Sequence, residues 1–246
     1  MNETLRSLNA HRSIRAYTNE AVADEQLDAI IEAVQHAPTS INGQALSVVV
    51  VRDPARRARI AELAGGQPWI AQAPVFLCFV IDYLKTRFAC NKKGVEQATH
   101  RTLEGLLAGS VDVGIALGTA IAAAESLNLG IVPIGGIRKS PRQMIELLGL
   151  PPLTFPLVGL VIGHPADRSN QKPRLPLGSF RHDEHYKTEG LPPLLDEYDE
   201  TMKAWLKEVG LEREGDWSQK VASVFQHSYF PEVLPTVIAQ GFATKD

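Results

Sequence analysis

Apolar positions up to about residue 165 follow two periods, which predict alternating helices and strands. Helical spacing marks one amphipathic helix before Pro38, at Leu27, Ile30, Ile31 and Val34. Short runs rich in β-branched or aromatic residues predict four strands, at 46–51, 74–82, 131–134 and 157–162. A second helix is predicted over 55–63, and a third begins at Ser140-Pro141, with Ser140 as the cap, and ends at Gly149.

The stretch 109–129 is apolar on nearly every side and predicts a buried central helix. Asp112 and Glu125 interrupt it, so we do not expect a membrane span. We expect both carboxylates to be partnered core groups rather than a catalytic pair, because buried polar atoms are normally hydrogen-bonded.

Near Asp167 the chain changes character, and prolines occur at 165, 173, 176, 192 and 193. Two short helical patterns follow, one with Tyr198, Met202 and Trp205, the other with Trp217, Val221, Val224 and Phe225. An extended arm with such aromatic faces is not expected to fold alone. We therefore expect another surface to cover it, and a partner subunit could provide one.

Composition narrows the class of protein. The 246 residues are 44% hydrophobic and 22% charged, with a net charge of −3, which is typical of a soluble enzyme and argues against general nucleic-acid binding. Cys78 and Cys90 lack disulfide or metal spacing, and the first residues lack a signal peptide, so we expect a cytoplasmic protein. The cluster at 182–185 is interpreted as a solvated turn, and we expect no bound metal.

Three basic clusters predict a phosphate-bearing ligand held from distant parts of the chain, at 11–15, 135–138 and 172–174. Solvated surface is the alternative for any one cluster. Gly135 and Gly136 follow a predicted strand and would let the backbone approach a flat ligand, although they could equally form only a tight turn. The standard nucleotide-binding glycine loops are absent, and no protein nucleophile or acid–base pair stands out, so a cofactor is expected to supply the chemistry.

A series of motifs in a fixed order resembles the oxygen-insensitive, FMN-dependent nitroreductase family, in its larger branch with a C-terminal extension. The motifs are HRSIR at 11–15, Pro38-Thr39-Ser40 with Gln44, AGGQ ending at Gln67, AAESLNLG, IGGIR at 134–138, GHPAD, KPRLP and DWS at 216–218. The resemblance covers nearly the whole chain.

This resemblance implies an α+β sandwich with a central, mainly antiparallel sheet flanked by helices. It implies a single domain over 1–246, with a core over 1–166 and an extended arm over 167–246 that two subunits exchange. FMN would lie in clefts at the interface of a homodimer, and the helix around Asp112 and Glu125 would form the dimer core.

The resemblance also assigns residues to the site. The positions that match the family's FMN contacts are His11, Arg12, Ser13, Arg15, Thr39, Gln67, Pro133, Ile134, Gly135, Gly136, Lys172, Pro173 and Arg174. Those assigned to the substrate are Ser40, Arg138, Arg213, Tyr229 and Phe230. No catalytic side chain is assigned.

The implied function is ping-pong reduction of nitroaromatics, quinones or related small molecules, with NADPH or NADH as the electron donor. An FMN carrier or sensor with little turnover is the alternative, and a different flavin reaction on the same fold, such as dehalogenation, is a third possibility. The loop expected to hold the 2′-phosphate of NADPH contains Arg213 beside three glutamates, at 208, 212 and 214. Their charges predict a weakened preference for NADPH.

Overall fold

The computed structural model describes residues 1–167 and 169–242 and divides the chain into two compact units. The first unit comprises the described parts of Met1–Ser169 and Phe230–Asp246, and the second is Asn170–Tyr229. Most of the predicted arm therefore forms the second unit, whereas its final part belongs to the first.

Four strands form one sheet in the first unit, as the hydrophobic runs predict. They are β1 (Leu46–Val51), β2 (Val75–Asp82), β3 (Gly130–Ile134) and β4 (Thr154–Gly163). Their order is β1-β2-β4-β3, and every neighbouring pair is antiparallel. The predicted antiparallel central sheet is confirmed, with β1 and β3 at its two edges.

Eight helices accompany this sheet in the described part of the first unit, and two lie in the second. The first eight are α1 (Glu3–Asn9), α2 (Asp24–Gln35), α3 (Pro54–Leu63), α4 (Pro68–Gln72), α5 (Leu84–Lys92), α6 (Leu103–Ser126), α7 (Pro141–Leu148) and α10 (Val233–Ala239). Those of the second unit are α8 (Leu191–Glu208) and α9 (Trp217–Phe225).

The central strand β2 is buried on both faces, and its alternating side chains separate two hydrophobic cores. Leu77 and Phe79 pack with α2 and α6 on one face. Phe76 and Cys78 pack with α3, α4 and α7 on the other. This layering of helices on both faces of one sheet confirms the predicted sandwich.

Several local predictions need correction. The sequence predicted no helix over Leu84–Lys92, which forms α5 and carries Cys90; none of its residues is buried, so no hydrophobic period marked it. Pro192 and Pro193 occupy the first turn of α8, where a missing N–H costs no helical hydrogen bond. Ser140 precedes α7 as predicted, but its side chain makes no capping bond, whereas Gly149 ends the helix in the left-handed conformation.

Helix α6 is present as predicted, and within the single chain it is only partly buried. It begins at Leu103, six residues before the predicted start, where the Thr102 hydroxyl accepts a bond from the Gly105 N–H. Four apolar side chains spaced by four residues remain 38–59% exposed, and we call them the α6 stripe: Leu103, Leu107, Val111 and Ile115. By length and composition alone, α6 is the described helix that could cross a membrane.

The second unit has a small core of its own. Tyr198, Met202 and Leu206 on α8 are buried and pack with Trp205 and Trp217. None of the nine residues of α9 is buried, and Phe225 is 78% exposed. The predicted inward face of α8 is therefore present, whereas the apolar face of α9 is half-buried at Trp217 and exposed at Phe225.

Candidate functional site

The segment that carries the first basic cluster is fixed to the edge strand β3. The Ile14 N–H donates to the Ile131 carbonyl at 2.9 Å, and the Tyr17 hydroxyl donates to the Ile14 carbonyl at 2.7 Å. Ile14 fits here because Gly130 has no Cβ, which would lie 2.9 Å from the Ile14 side chain. Residues 11–15 are thus held beside β3.

The glycine pair follows directly after the end of β3 and contacts a second loop. Gly135 and Gly136 begin a short 3-10 helix, Gly135–Lys139. A Cβ on Gly136 would lie 2.5 Å from both the Ala64 carbonyl oxygen and Gln67 Nε2. Because Gln67 Nε2 itself donates to that carbonyl at 2.9 Å, the turn and the 64–67 loop form one packed arrangement.

Arg15 joins the basic cluster to this loop. Its guanidinium lies 5.5 Å from the ring centroid of Trp69, which is on α4 two residues after Gln67. A cation over an indole ring is attracted by the ring quadrupole. Three segments distant in sequence, 11–15, 64–69 and 133–136, are therefore brought together at the β3 edge.

His11 is paired with a carboxylate from the far end of α6. Its Nδ1 lies 2.6 Å from Glu125 Oε1, and both side chains are largely buried. Beside it, Arg12 reaches the Ser169 carbonyl at 3.4 Å. Ser13 is half-buried in the same segment.

Two further predicted contacts, Thr39 and Ser40, lie elsewhere in the subunit. The Ser40 N–H donates to Asp112 at 2.9 Å, in the middle of α6. Asp112 is thirteen residues from Glu125, which corresponds to about 20 Å along a helix axis. Within one chain, the structure does not bring Thr39 and Ser40 to the β3 edge.

The loop after Ser40 has a strained backbone. Ile41, Asn42 and Gln44 all have positive φ angles, of 49°, 56° and 49°. Such conformations are costly for residues other than glycine and are concentrated at functional sites. The Ile41 side chain is 97% exposed at the tip of this loop.

The predicted contacts after residue 169 lie mostly in the second unit. Lys172 Nζ is 5.9 Å from the Trp205 ring, the Pro173 carbonyl accepts from Tyr198, and Arg174 donates to the Lys172 carbonyl. Arg213 is exposed on a 3-10 helix between two glutamates. The roles assigned to these four residues remain predictions.

Two of the predicted substrate contacts touch each other in the first unit. The Arg138 guanidinium donates to the Leu157 carbonyl and lies 5.8 Å from the ring centroid of Phe230. Tyr229 is 68% exposed. Arg138 is thus held beside Gly135, next to the proposed ligand region, by contacts within the protein.

Two residues of this region had no assigned role in the sequence, Trp69 and Glu125. Trp69 directly follows the AGGQP segment, and Glu125 lies inside AAESLNLG, so both motifs gave a signal. Their contacts with Arg15 and His11 could not be read from spacing, because the paired residues are 54 and 114 positions apart. Among residues 1–167 and 169–242, no three metal-binding side chains cluster.

The fold is an α+β sandwich, and the segments 11–15, 64–69 and 133–136 meet at one edge of its sheet. The nitroreductase family model matches residues 8–164, and the model of that family's C-terminal domain matches 172–245. The chain belongs to the nitroreductase family.

Relatives with known names or solved structures are similar to this chain along nearly its whole length. An FMN reductase [NAD(P)H] of Bacillus subtilis is 51% identical, with 98% of each chain covered. NfrA2 of B. megaterium has a TM-score of 0.98 at 44% identity, with both chains fully covered. The NADPH:FMN oxidoreductase of Vibrio harveyi, solved with NAD+, has a TM-score of 0.90 at 36% identity over 99% of this chain and 100% of that one.

Proposed function

We propose that this chain is an FMN-dependent NAD(P)H oxidoreductase that reduces small acceptors such as flavins, quinones or nitroaromatics. The observation that carries the proposal is the meeting of 11–15, 64–69 and 133–136 at one sheet edge. The names of the relatives, an FMN reductase and an NADPH:FMN oxidoreductase, support the same chemistry.

The residues at the β3 edge fit FMN by their chemistry. Arg12 and Arg15 offer planar cations that suit a phosphate, and His11 and Ser13 add polar groups for the phosphate and ribityl chain. Ile134, Gly135 and Gly136 present a backbone edge with little side-chain bulk, beside which a flat ring system can lie. Gln67, held by the Ala64 carbonyl, borders the same region.

When bound, FMN supplies the redox chemistry by accepting a hydride and passing two electrons on. The protein's own part is to bind the cofactor, orient it and exclude water. We assign no side chain among the described residues as a nucleophile or acid.

A homodimer is part of the proposal. Thr39 and Ser40 precede the edge strand β1, whereas His11 lies beside the opposite edge β3, and three intervals between strands correspond to about 14 Å. A second subunit would bring one chain's 39–44 loop to the other chain's β3 edge. The exposed α6 stripe supplies an apolar surface for this contact. We also propose that the protein is cytoplasmic.

The purified protein tests the cofactor. We expect it to be yellow, with flavin absorption bands, and to release FMN on denaturation. Anaerobic mixing with NADH or NADPH should bleach the bound flavin rapidly. A colourless protein that fails to bind added FMN contradicts the proposal, and bound flavin that neither nucleotide reduces supports the carrier or sensor instead.

The nucleotide preference is a second test. Arg213 is flanked by Glu212 and Glu214, and carboxylates repel a 2′-phosphate that carries nearly two negative charges. We expect kcat/KM with NADH to equal or exceed that with NADPH. Replacing both glutamates by glutamine should improve kcat/KM for NADPH by about tenfold, the equivalent of roughly 1.4 kcal/mol, and leave NADH nearly unchanged. A strong NADPH preference in the unaltered protein contradicts this expectation.

A further inference from the structure

We propose that Glu125 is a positioning residue for FMN binding, acting through His11. This rests on the proposed function, since it takes His11 as a cofactor contact. The carboxylate of Glu125 selects which ring nitrogen of His11 carries the proton and fixes the ring plane, so that the imidazole is presented in one form beside Arg12.

The contact itself determines the proton's place. His11 Nδ1 lies 2.6 Å from Glu125 Oε1, a short hydrogen bond between an imidazole and a carboxylate. An ionised carboxylate can only accept, so Nδ1 carries the hydrogen and donates it. In a neutral ring, Nε2 then bears the lone pair. Without the carboxylate, nothing favours the hydrogen on Nδ1, and both tautomers of His11 can form.

The position of Glu125 is unfavourable on other grounds. It lies in the last turn of α6, where the carbonyl ends of the helix carry a partial negative charge that opposes a carboxylate. Its second oxygen, Oε2, is buried and has no hydrogen-bond partner among the described residues. Buried polar atoms are normally hydrogen-bonded, so the other contacts of Glu125 do not account for a carboxylate at this position.

The pair is also placed where it can influence the cofactor. Glu125 and Arg12 line the same cavity of about 250 Å³. Ile14 and Gly130, the first residue of β3, line it as well. His11 precedes Arg12 directly, so a change in the orientation of the ring acts at the start of the proposed phosphate-binding segment.

The experiment uses Glu125→Gln and Glu125→Ala in the full-length protein, with Glu146→Gln as a matched control. Glu146 is an exposed glutamate in the last turn of α7. We measure the Kd for FMN in each variant, in the unaltered protein and in His11→Ala. Histidine 15N chemical shifts of the FMN-free protein, assigned through His11→Ala, report the tautomer of His11 directly.

We expect the Kd for FMN to rise about tenfold or more in Glu125→Ala, and less in Glu125→Gln, whose amide oxygen can still accept from Nδ1. Glu146→Gln should bind as the unaltered protein does. In the His11→Ala background, Glu125→Ala should add little, because the effect passes through His11. The 15N shifts should show a protonated Nδ1 in the unaltered protein and a mixture of the two tautomers in Glu125→Ala.

The outcomes separate the two proposals. Unchanged FMN affinity and unchanged His11 shifts in Glu125→Ala overturn the positioning role while FMN binding itself stands. The positioning role is also overturned if Glu125→Ala weakens FMN binding equally in the presence and in the absence of the His11 side chain. Such a result would show that Glu125 affects FMN binding without acting through His11. If the unaltered protein binds no FMN, the proposed function fails, and the role of Glu125 in cofactor binding fails with it, even where the tautomer is as expected.

Discussion

Gly136→Ala is expected to weaken FMN binding by at least about tenfold, equivalent to roughly 1.4 kcal/mol. The added Cβ would lie 2.5 Å from the Ala64 carbonyl oxygen and from Gln67 Nε2. Both atoms would have to move, and one of them belongs to the backbone. The shift would displace the 64–67 loop and the turn after β3 together, which are two of the three segments that form the proposed site.

The same substitution should also lower the free energy of unfolding by about 1–3 kcal/mol, the usual range for overpacking. FMN titration followed by fluorescence gives the Kd, and urea unfolding of the FMN-free protein gives the stability. Gly178→Ala is the control, because its Cβ would meet only the end of Leu194, at an ordinary 3.4 Å. Gly136→Ala with unaltered Kd and stability would show that the turn can accept a side chain.

The sheet was predictable because its strands are unusually apolar. The residues that form β2 are buried on both faces of the sheet, so they form a continuous hydrophobic run that predicts a buried strand. Helix α5 was missed for the opposite reason, since its side chains are not buried and its sequence carries no period. Helix α6 was predicted from the sequence, but the exposure of the α6 stripe was not. Composition cannot distinguish a helix face that the same chain covers from one that it leaves exposed.

The site was predictable only as separate segments. Basic residues and paired glycines identified 11–15 and 133–136, and the family resemblance added Gln67. Their meeting depends on long-range contacts, such as Ile14 on Gly130 and Arg15 on Trp69. Spacing along the chain carries no information about such contacts. The wide separation of Thr39 from His11 also emerges only from the order of the strands.

That separation makes the α6 stripe the place to test whether the site needs two subunits. Val111→Asp should raise the dimer dissociation constant by about 100-fold or more, since a carboxylate buried without a partner costs at least roughly 3 kcal/mol. Val111 is 59% exposed in the single chain, so the subunit itself should remain folded. If Thr39 and Ser40 reach the cofactor of the other subunit, FMN affinity should fall together with dimerisation.

Val111→Ala is the matched control, because it trims the same side chain without adding charge and keeps a good helix former. It should weaken the dimer by tenfold or less, corresponding to about 1 kcal/mol of lost apolar contact. Sedimentation equilibrium measures association, and FMN titration on either side of the dimer dissociation constant links it to the site. A Val111→Asp protein that stays dimeric and binds FMN normally would place the subunit contact away from α6. A folded monomer that still binds FMN fully would instead show that the β3 edge of one chain is sufficient.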